Sequence, residues 1–190
     1  LTSSLGSGRT AVALASGGFH TCAILDNGAV SCWGQGQDGK LGNGGTTSKY
    51  SPTLTNSLGT SRTAVAITAG NSYTCAILDN GAVSCWGYGY FVGNGNGNFR
   101  ETSPTLTSTL GTGRTAVAIS AGGSHTCVIL DNGDISCWGY GSYGQLGGSS
   151  SGSNVPHLTA SLGTTTNQRT AAFSERDFDG DGIFNVFEST

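Results

Sequence analysis

Hydrophobic and polar positions along the chain follow a period of two rather than 3.6. Val12 and Leu14 alternate with Ala11, Ala13 and Ala15, and the arrangement returns at Val65/Ile67 and Val117/Ile119. Successive side chains of a strand point to opposite faces. Each stretch therefore predicts a short strand with one large-residue face and one small-residue face. Next come Thr21–Leu25, the tripeptide Asp26-Asn27-Gly28, and Ala29–Gly34. Asp-Asn-Gly between two apolar runs predicts a hairpin, because Gly accepts the positive φ of such turns. A fourth strand is expected at Pro52–Thr55, and again at Pro104–Thr107 and Pro156–Thr159. Proline lacks the N–H that a ladder needs, which places this strand on the outer edge of its sheet. No stretch has helical periodicity of useful length.

The pattern repeats. Arg9-Thr-Ala-Val returns at Arg62 and Arg114, and in the decayed form Arg169-Thr-Ala-Ala, at spacings of 53, 52 and 55 residues. Leu1-Thr-Ser-Ser-Leu-Gly matches Leu54-Thr-Asn-Ser-Leu-Gly, so residues 1–8 read as the end of a preceding unit. Repeat units follow at 9–61, 62–113 and 114–168, and residues 169–190 hold the decayed start and an acidic tail. Four antiparallel strands repeated about every 50 residues are the signature of propeller blades. The expected fold class is all-β, a partial, open β-propeller of three four-stranded antiparallel blades. In it the flat alanine face of one blade would receive the branched side chains of its neighbour. The alternative is a β-sandwich, whose sequence does not repeat.

Six cysteines lie in pairs across the hairpin turns. Counting outward from a three-residue loop, Leu25 faces Ala29 and Cys22 faces Cys32; Cys75 faces Cys85 and Cys127 faces Cys137 in the same way. Directly opposed Cβ atoms sit about 4.5–5.5 Å apart, a gap that a disulfide can tighten. Three disulfides would imply an oxidising, extracellular or cell-surface setting. Two other readings stay open. Zinc is one, although ligand pairs usually sit about two to four residues apart and no second pair completes a site. Reduced, buried thiols are the other.

The 190 residues are 36% hydrophobic and only 10% charged, unlike a disordered chain. A net charge of −3 lacks the basic excess that a nucleic-acid backbone requires, and no apolar run approaches the roughly 18 residues of a membrane span. The acidity is concentrated in residues 175–190, with five acids against one base. There Asp177, Asp179, Asp181, Asn185 and Glu188 fit the calcium-loop pattern D-x-[DN]-x-[DN]-G-x5-E. The alternating carboxylates converge on one hard cation, Gly182 permits the turn, Ile183 offers its carbonyl, and Glu188 closes the site. This string resembles the Asp-rich loops of thrombospondin type-3 and dockerin modules. A solvated acidic terminus is the other reading.

The repeated strings Val-Ala-x-x-x-x-Gly-x-x-His-Thr-Cys and Leu-Asp-Asn-Gly-x-x-x-Cys-Trp-Gly, with Tyr143-Gly144-Gln145-Leu146-Gly147, resemble the regulator of chromosome condensation repeat family in its cysteine-bearing prokaryotic form. The likeness covers about residues 9–163, with departures at Asp38-Gly-Lys-Leu-Gly and Tyr90-Phe-Val-Gly. It implies a seven-bladed propeller, of which three blades form an open arc. Exposed sheet faces and edges invite self-association. Family members include a small-GTPase exchange factor, light-receptor and ligase-associated propellers, and secreted enzyme inhibitors, and they share protein binding through blade loops.

Candidate chemistry is sparse. Gly34-Gln-Gly-Gln-Asp-Gly39 and Gly139-Tyr-Gly-Ser-Tyr-Gly144 fit a dinucleotide fingerprint but lack the following helix. His20, Tyr73 and His125 share one repeat position, an exchange that suits packing or a hydrogen bond. The recurrent Arg9, Arg62, Arg114 and Arg169 suit a structural salt bridge or carbonyl contact at the inter-blade join more than a functional patch. No nucleophile–base pair stands outside the repeats, so no enzyme is expected. What varies between units is 35–50, 88–101 and 140–155, carrying Tyr50, Tyr88, Tyr90, Phe91, Phe99, Tyr140 and Tyr143. Variable Gly/Asn/Ser/Tyr-rich loops on a rigid scaffold suit recognition, with tyrosines as anchors; plugging of the blade ends is the competing role. The expected function is a non-enzymatic binding scaffold for a protein or glycan ligand. An enzyme-blocking inhibitor and a structural spacer are alternatives, and a GTPase exchange factor is a distant one. For the tail, calorimetry with calcium should show heat that Asp179→Ala abolishes; no heat at millimolar calcium would end the calcium reading.

Overall fold

The structure is a computed structural model and describes residues 5–6, 8–148 and 151–160. The calcium-loop residues Asp177, Asp179, Asp181, Ile183, Asn185 and Glu188, and Arg169, lie outside the described residues. Three four-stranded antiparallel sheets follow one another in the chain. The first comprises β1 (Ala11–Ser16), β2 (His20–Leu25), β3 (Val30–Gly34) and β4 (Lys49–Leu54). The second comprises β5 (Ala64–Ala69), β6 (Tyr73–Leu78), β7 (Val83–Tyr88) and β8 (Arg100–Leu106). The third comprises β9 (Ala116–Ala121), β10 (His125–Leu130), β11 (Ile135–Tyr140) and β12 (Gly152–Leu158). Strand order follows chain order in every sheet, and the proline-bearing β4, β8 and β12 form one edge.

The hairpin register is the one that the turn dictates. Cys22 pairs with Cys32, Cys75 with Cys85 and Cys127 with Cys137, and each pair is a disulfide. Closing so short a loop stabilises each hairpin by about 2–3 kcal/mol in the chain-entropy view. The turn is held at Gly28, whose φ of +75° suits glycine, with the Gly28 N–H donating to the Leu25 carbonyl. Arg9, Arg62 and Arg114 reach the turn carboxylates of Asp26, Asp79 and Asp131 at 3.3, 3.2 and 3.4 Å. These pairs are half-exposed, so each contributes under about 1 kcal/mol.

Two expectations are corrected. The alternation in the first strand is broken, because the pairing skips from Ala11 to Ala13, and likewise from Ala64 to Ala66 and Ala116 to Ala118. Val12, Val65 and Val117 are therefore bulged and exposed. Leu14, the next residue but one, shares a face with Ala11 across this bulge. The outer strands also begin earlier than their prolines, since the loop ends return to pair, as Gly34 with Lys49 and Gly87 with Glu101. Tyr50 thus stands on a strand, not on a loop.

Packing runs between consecutive sheets. One core joins Cys22, Ile24, Val30 and Cys32 of the first to Ala64, Ala76, Leu78 and Trp86 of the second; the partly buried Ala13 and Ile67 both pack against it. The second core repeats this, with Tyr73, Cys75, Ile77 and Ala66 against Val128, Leu130, Trp138 and Ile119. The small face of one blade and the branched residue of the next thus share each core. At the two ends of the arc the matching positions are open. Leu14 is 64% exposed where Ile67 and Ile119 are half-buried, and Ile129 is 43% exposed where Ile24 and Ile77 are at 2%.

The joints carry polar links at one repeat position. His20 Nε2 sits 2.7 Å from Thr74 Oγ1 across the first joint. Across the second, Thr126 Oγ1 donates to the Tyr73 hydroxyl at 3.0 Å, and that hydroxyl donates to the Gly122 and His125 carbonyls. Each ring lies against the glycine three residues before it; a Cβ on Gly17 or Gly70 would fall within 2.4 Å of the His20 or 2.1 Å of the Tyr73 ring. Burial raises the Tyr73 phenol well above its ordinary value, so it stays protonated. Burial, and after it the Lys40 charge, hold the His20 imidazole down at about 4 from an ordinary 6.5. The folded chain therefore keeps His20 neutral at a pH where the unfolded chain protonates it. Its contribution is complete above about pH 6.5 and is lost as pH falls toward 4, amounting to roughly 3 kcal/mol at most. Melting temperature should fall over that window, and His20→Tyr, which installs the residue the second blade uses, should flatten the fall. An unchanged slope in His20→Tyr would contradict the assignment.

Candidate functional site

Antiparallel order puts the β1–β2 turns and the long β3–β4 loops of all three blades at one end of the arc. There the two kinds of loop are tied together: Gln35 donates to the Phe19 carbonyl, Tyr88 to Ser72 and Tyr140 to Ser124, all at 2.8–2.9 Å. The opposite end holds the Asp-Asn-Gly turns and their arginines. Repeated framework thus lies at one end and variable sequence at the other.

The first two variable loops are each anchored by the blade that follows. The Trp86 indole N–H donates to the Lys40 carbonyl at 2.9 Å, and the Trp138 indole to the Phe91 carbonyl at 2.9 Å. Both tryptophans are fully buried. Two residues beyond each acceptor stands a glycine, Gly42 or Gly93, packed under the indole; a Cβ there would approach Trp86 Nε1 to 2.8 Å or Trp138 Nε1 to 2.7 Å. Further on, Gly44 donates to the Thr102 carbonyl and Gly95 to the Asn154 carbonyl, laying each loop over the next outer strand. In the first loop the buried Lys40 donates from Nζ to Gln35 at 2.8 Å. Burial lowers its ammonium pKa, against the pull of Asp38.

The seven candidate aromatics divide into groups. Phe99, Tyr88, Phe91 and Tyr73 form a chain of rings with centroids 5.2, 5.0 and 5.4 Å apart, and Tyr90 joins Phe91 at 6.0 Å. Phe91 packs onto the second core and its carbonyl takes the Trp138 bond, so it acts as a plug. Tyr88 is half-buried behind it. Phe99, 61% exposed with the Arg100 guanidinium 5.1 Å over its ring, and the exposed Tyr90 face solvent. Tyr140 and Tyr143 form a separate exposed pair 6.1 Å apart in the third blade. Tyr50 stands apart from both groups and is 99% exposed.

Tyr88, Tyr90 and Phe99 line a shallow cavity of about 180 Å³ with Asn98 and Asn154. Two clefts are larger, about 480 and 420 Å³. They are one cleft seen twice, lined by Arg62, Leu78 and Pro104 in one case and by Arg114, Leu130 and Pro156 in the other. They therefore belong to the repeat, whereas the aromatic cavity sits in a loop that does not repeat.

Sequence reasoning missed what holds this loop in shape. One oxygen of Glu101, Oε1, accepts from Asn94, Asn96 and Asn98 at 2.9, 2.6 and 2.9 Å. Burial alone would raise the Glu101 carboxyl, but bonds from Asn96, Asn98, Asn94 and Thr105 outweigh it and hold the pKa below the usual value. The signal was in the alternation Asn94-Gly-Asn-Gly-Asn98 followed by Glu101. Also missed was Phe19, 74% exposed at the same end, where the other units carry Ser72 and Ser124. Among the described residues no cluster of three His, Cys, Asp or Glu side chains could hold a metal, and no helix is long and apolar enough to cross a membrane.

Comparison with known proteins agrees with the blade geometry. The Regulator of chromosome condensation (RCC1) repeat matches residues 11–40, 64–97 and 116–145, and a second profile of the same repeat matches 27–77. The chain belongs to the RCC1 repeat family. It is 33% identical over 150 residues to the ultraviolet-B receptor UVR8 of Arabidopsis thaliana, covering 78% of this chain and 34% of that protein. It is 34% identical over 153 residues to the human E3 ubiquitin-protein ligase HERC2, covering 80% of this chain and 3% of that one. Among solved structures, human WBSCR16 superposes with a TM-score of 0.72 at 22% identity, covering 83% of this chain and 41% of that one. Yeast RCC1 (Prp20), solved bound to Kap60, superposes at 0.69 and 20% identity, covering 80% and 37%. At these identities the structures establish the fold, an RCC1-type array of propeller blades.

Proposed function

We propose that the chain is a non-catalytic scaffold of RCC1 repeats that binds a partner protein through its variable end, in an extracellular or cell-surface setting. The observation that carries this reading is the division within the second loop. Its framework residues are buried or bonded, while Tyr90 and Phe99 stand exposed on a loop fixed by the Glu101 cradle and the Trp138 bond. Preorganised aromatic anchors lose little conformational freedom on binding. Prp20, solved with Kap60 bound, supports partner binding by this fold and leaves the partner of this chain unnamed. The three disulfides support an oxidising compartment and speak against an intracellular exchange factor. An inhibitor that blocks an enzyme would use the same surface. A glycan is the other ligand class for a small cavity lined by aromatic rings and amides. Calcium, held at Asp177, Asp179, Asp181, Ile183, Asn185 and Glu188, would stabilise the C-terminal junction. The exposed Leu14 and Ile129 faces are the two halves of the joint already formed twice inside the arc, and they support self-association.

The test compares two variants. Tyr90→Ala combined with Phe99→Ala should leave melting unchanged and weaken capture of proteins from the source organism's extracellular fraction at least about tenfold, a loss of about 1.4 kcal/mol. Phe91→Ala should instead lower stability by about 2 kcal/mol or more through the emptied core contact. Capture unaffected by the double variant would overturn the site, and the absence of any selective partner would favour a structural spacer. Light scattering on the same samples should show association, and a monodisperse monomer would remove that part of the proposal.

A further inference from the structure

The chain holds six Asn-Gly pairs, at Asn27, Asn43, Asn80, Asn94, Asn96 and Asn132. In all six the asparagine Oδ1 accepts from the backbone N–H two residues on, at 3.0–3.3 Å, so the side chains share one turn geometry. The glycine N–H groups are not equivalent. Gly28, Gly81 and Gly133 donate to the carbonyls of Leu25, Leu78 and Leu130 at 2.8 Å, Gly44 to Thr102 at 2.8 Å and Gly95 to Asn154 at 3.0 Å. The Gly97 N–H has no hydrogen-bond acceptor among the described residues. Asn96 and Gly97 are both exposed, and nothing lies within 4 Å of where a Gly97 Cβ would be.

We propose that Asn96 is a site of spontaneous modification in the folded protein, converting to aspartate and isoaspartate ahead of the other five asparagines. The Gly97 nitrogen gives up its proton to solvent base and attacks Cγ of Asn96. Ammonia leaves, carrying the side-chain nitrogen, and a five-membered imide remains. One water opens the imide at either carbonyl, so the net change is gain of water and loss of ammonia. At the other five sites the attacking nitrogen must first surrender a backbone hydrogen bond. Asn94 is a close internal control, because it shares the turn geometry and the Glu101 carboxylate and differs in the bonded Gly95 N–H and in being half-buried; Asn27, Asn80 and Asn132, exposed like Asn96, control for exposure. Conversion at Asn96 also places a second carboxylate against Glu101 where an amide donor stood, opening the cradle that shapes the Tyr90–Phe99 loop.

The experiment holds the disulfide-bonded chain at mildly alkaline pH and follows the six Asn-Gly peptides by mass, with aspartate and isoaspartate separated. Asn96 should convert about tenfold faster than Asn94 and the hairpin asparagines, the factor that one backbone hydrogen bond of about 1.4 kcal/mol makes. In urea with the disulfides reduced, the six should convert at similar rates. Asn94 keeping pace with Asn96 in the folded chain would overturn the proposal. So would a lead for Asn96 that survives unfolding, which would locate the cause in local sequence and not in the fold.

Discussion

The hydrogen bond from the tryptophan indole of the second and third blades to a carbonyl in the loop of the blade before is the constraint on which the rest depends. Trp86 to Lys40 and Trp138 to Phe91 each join three things at once. They seat the largest side chain of one sheet in the joint, they fix the start of the preceding variable loop, and they hydrogen-bond a loop carbonyl, which at Lys40 also accepts from Thr74 Oγ1 at 3.0 Å. The geometry accounts for Gly42 and Gly93, since any side chain there would occupy the place of the indole. Blade stacking and loop placement are therefore one interaction, and the recognition end cannot be separated from the core beneath it.

This arrangement lets the loops differ without disturbing the array. The anchors are backbone carbonyls, so the residue that supplies one can be Lys40 in the first blade and Phe91 in the second. Side-chain chemistry at the anchor is then free to change: the first blade buries an ammonium beside Gln35, and the second drives a phenyl ring into the core. The same freedom operates at the joint, where His20 and Tyr73 reach the equivalent threonines Thr74 and Thr126 with different hydrogen-bonding groups.

What was legible in the sequence was local. Cys22 opposite Cys32 follows from the length of one turn, and strand order follows from short connections, so neither needs knowledge of distant contacts. The repeat added the joint, because Ala13 and Ile67 packing against one core is implied once two equal blades are stacked. The bulges at Val12, Val65 and Val117 were hidden, since a broken register leaves an apparently regular alternation of large and small residues. In the candidate site the aromatics were visible but their roles were not. Phe91 and Tyr90 are neighbours in sequence, and only the ring positions separate the plug from the exposed residue. The Glu101 cradle escaped because three amides converge on one oxygen only after the loop has folded back on its strand.

The central claim can be read from the three indole N–H protons. Trp33 holds the repeat position of Trp86 and Trp138, yet it is only half-buried and has no preceding blade among the described residues to accept its bond. Hydrogen exchange followed by NMR on the oxidised chain, at a concentration where light scattering shows a monomer, should show two indole protons strongly protected and the Trp33 proton exchanging quickly. Three indoles exchanging alike, or protection at Trp33 with loss at Trp138, would contradict the account.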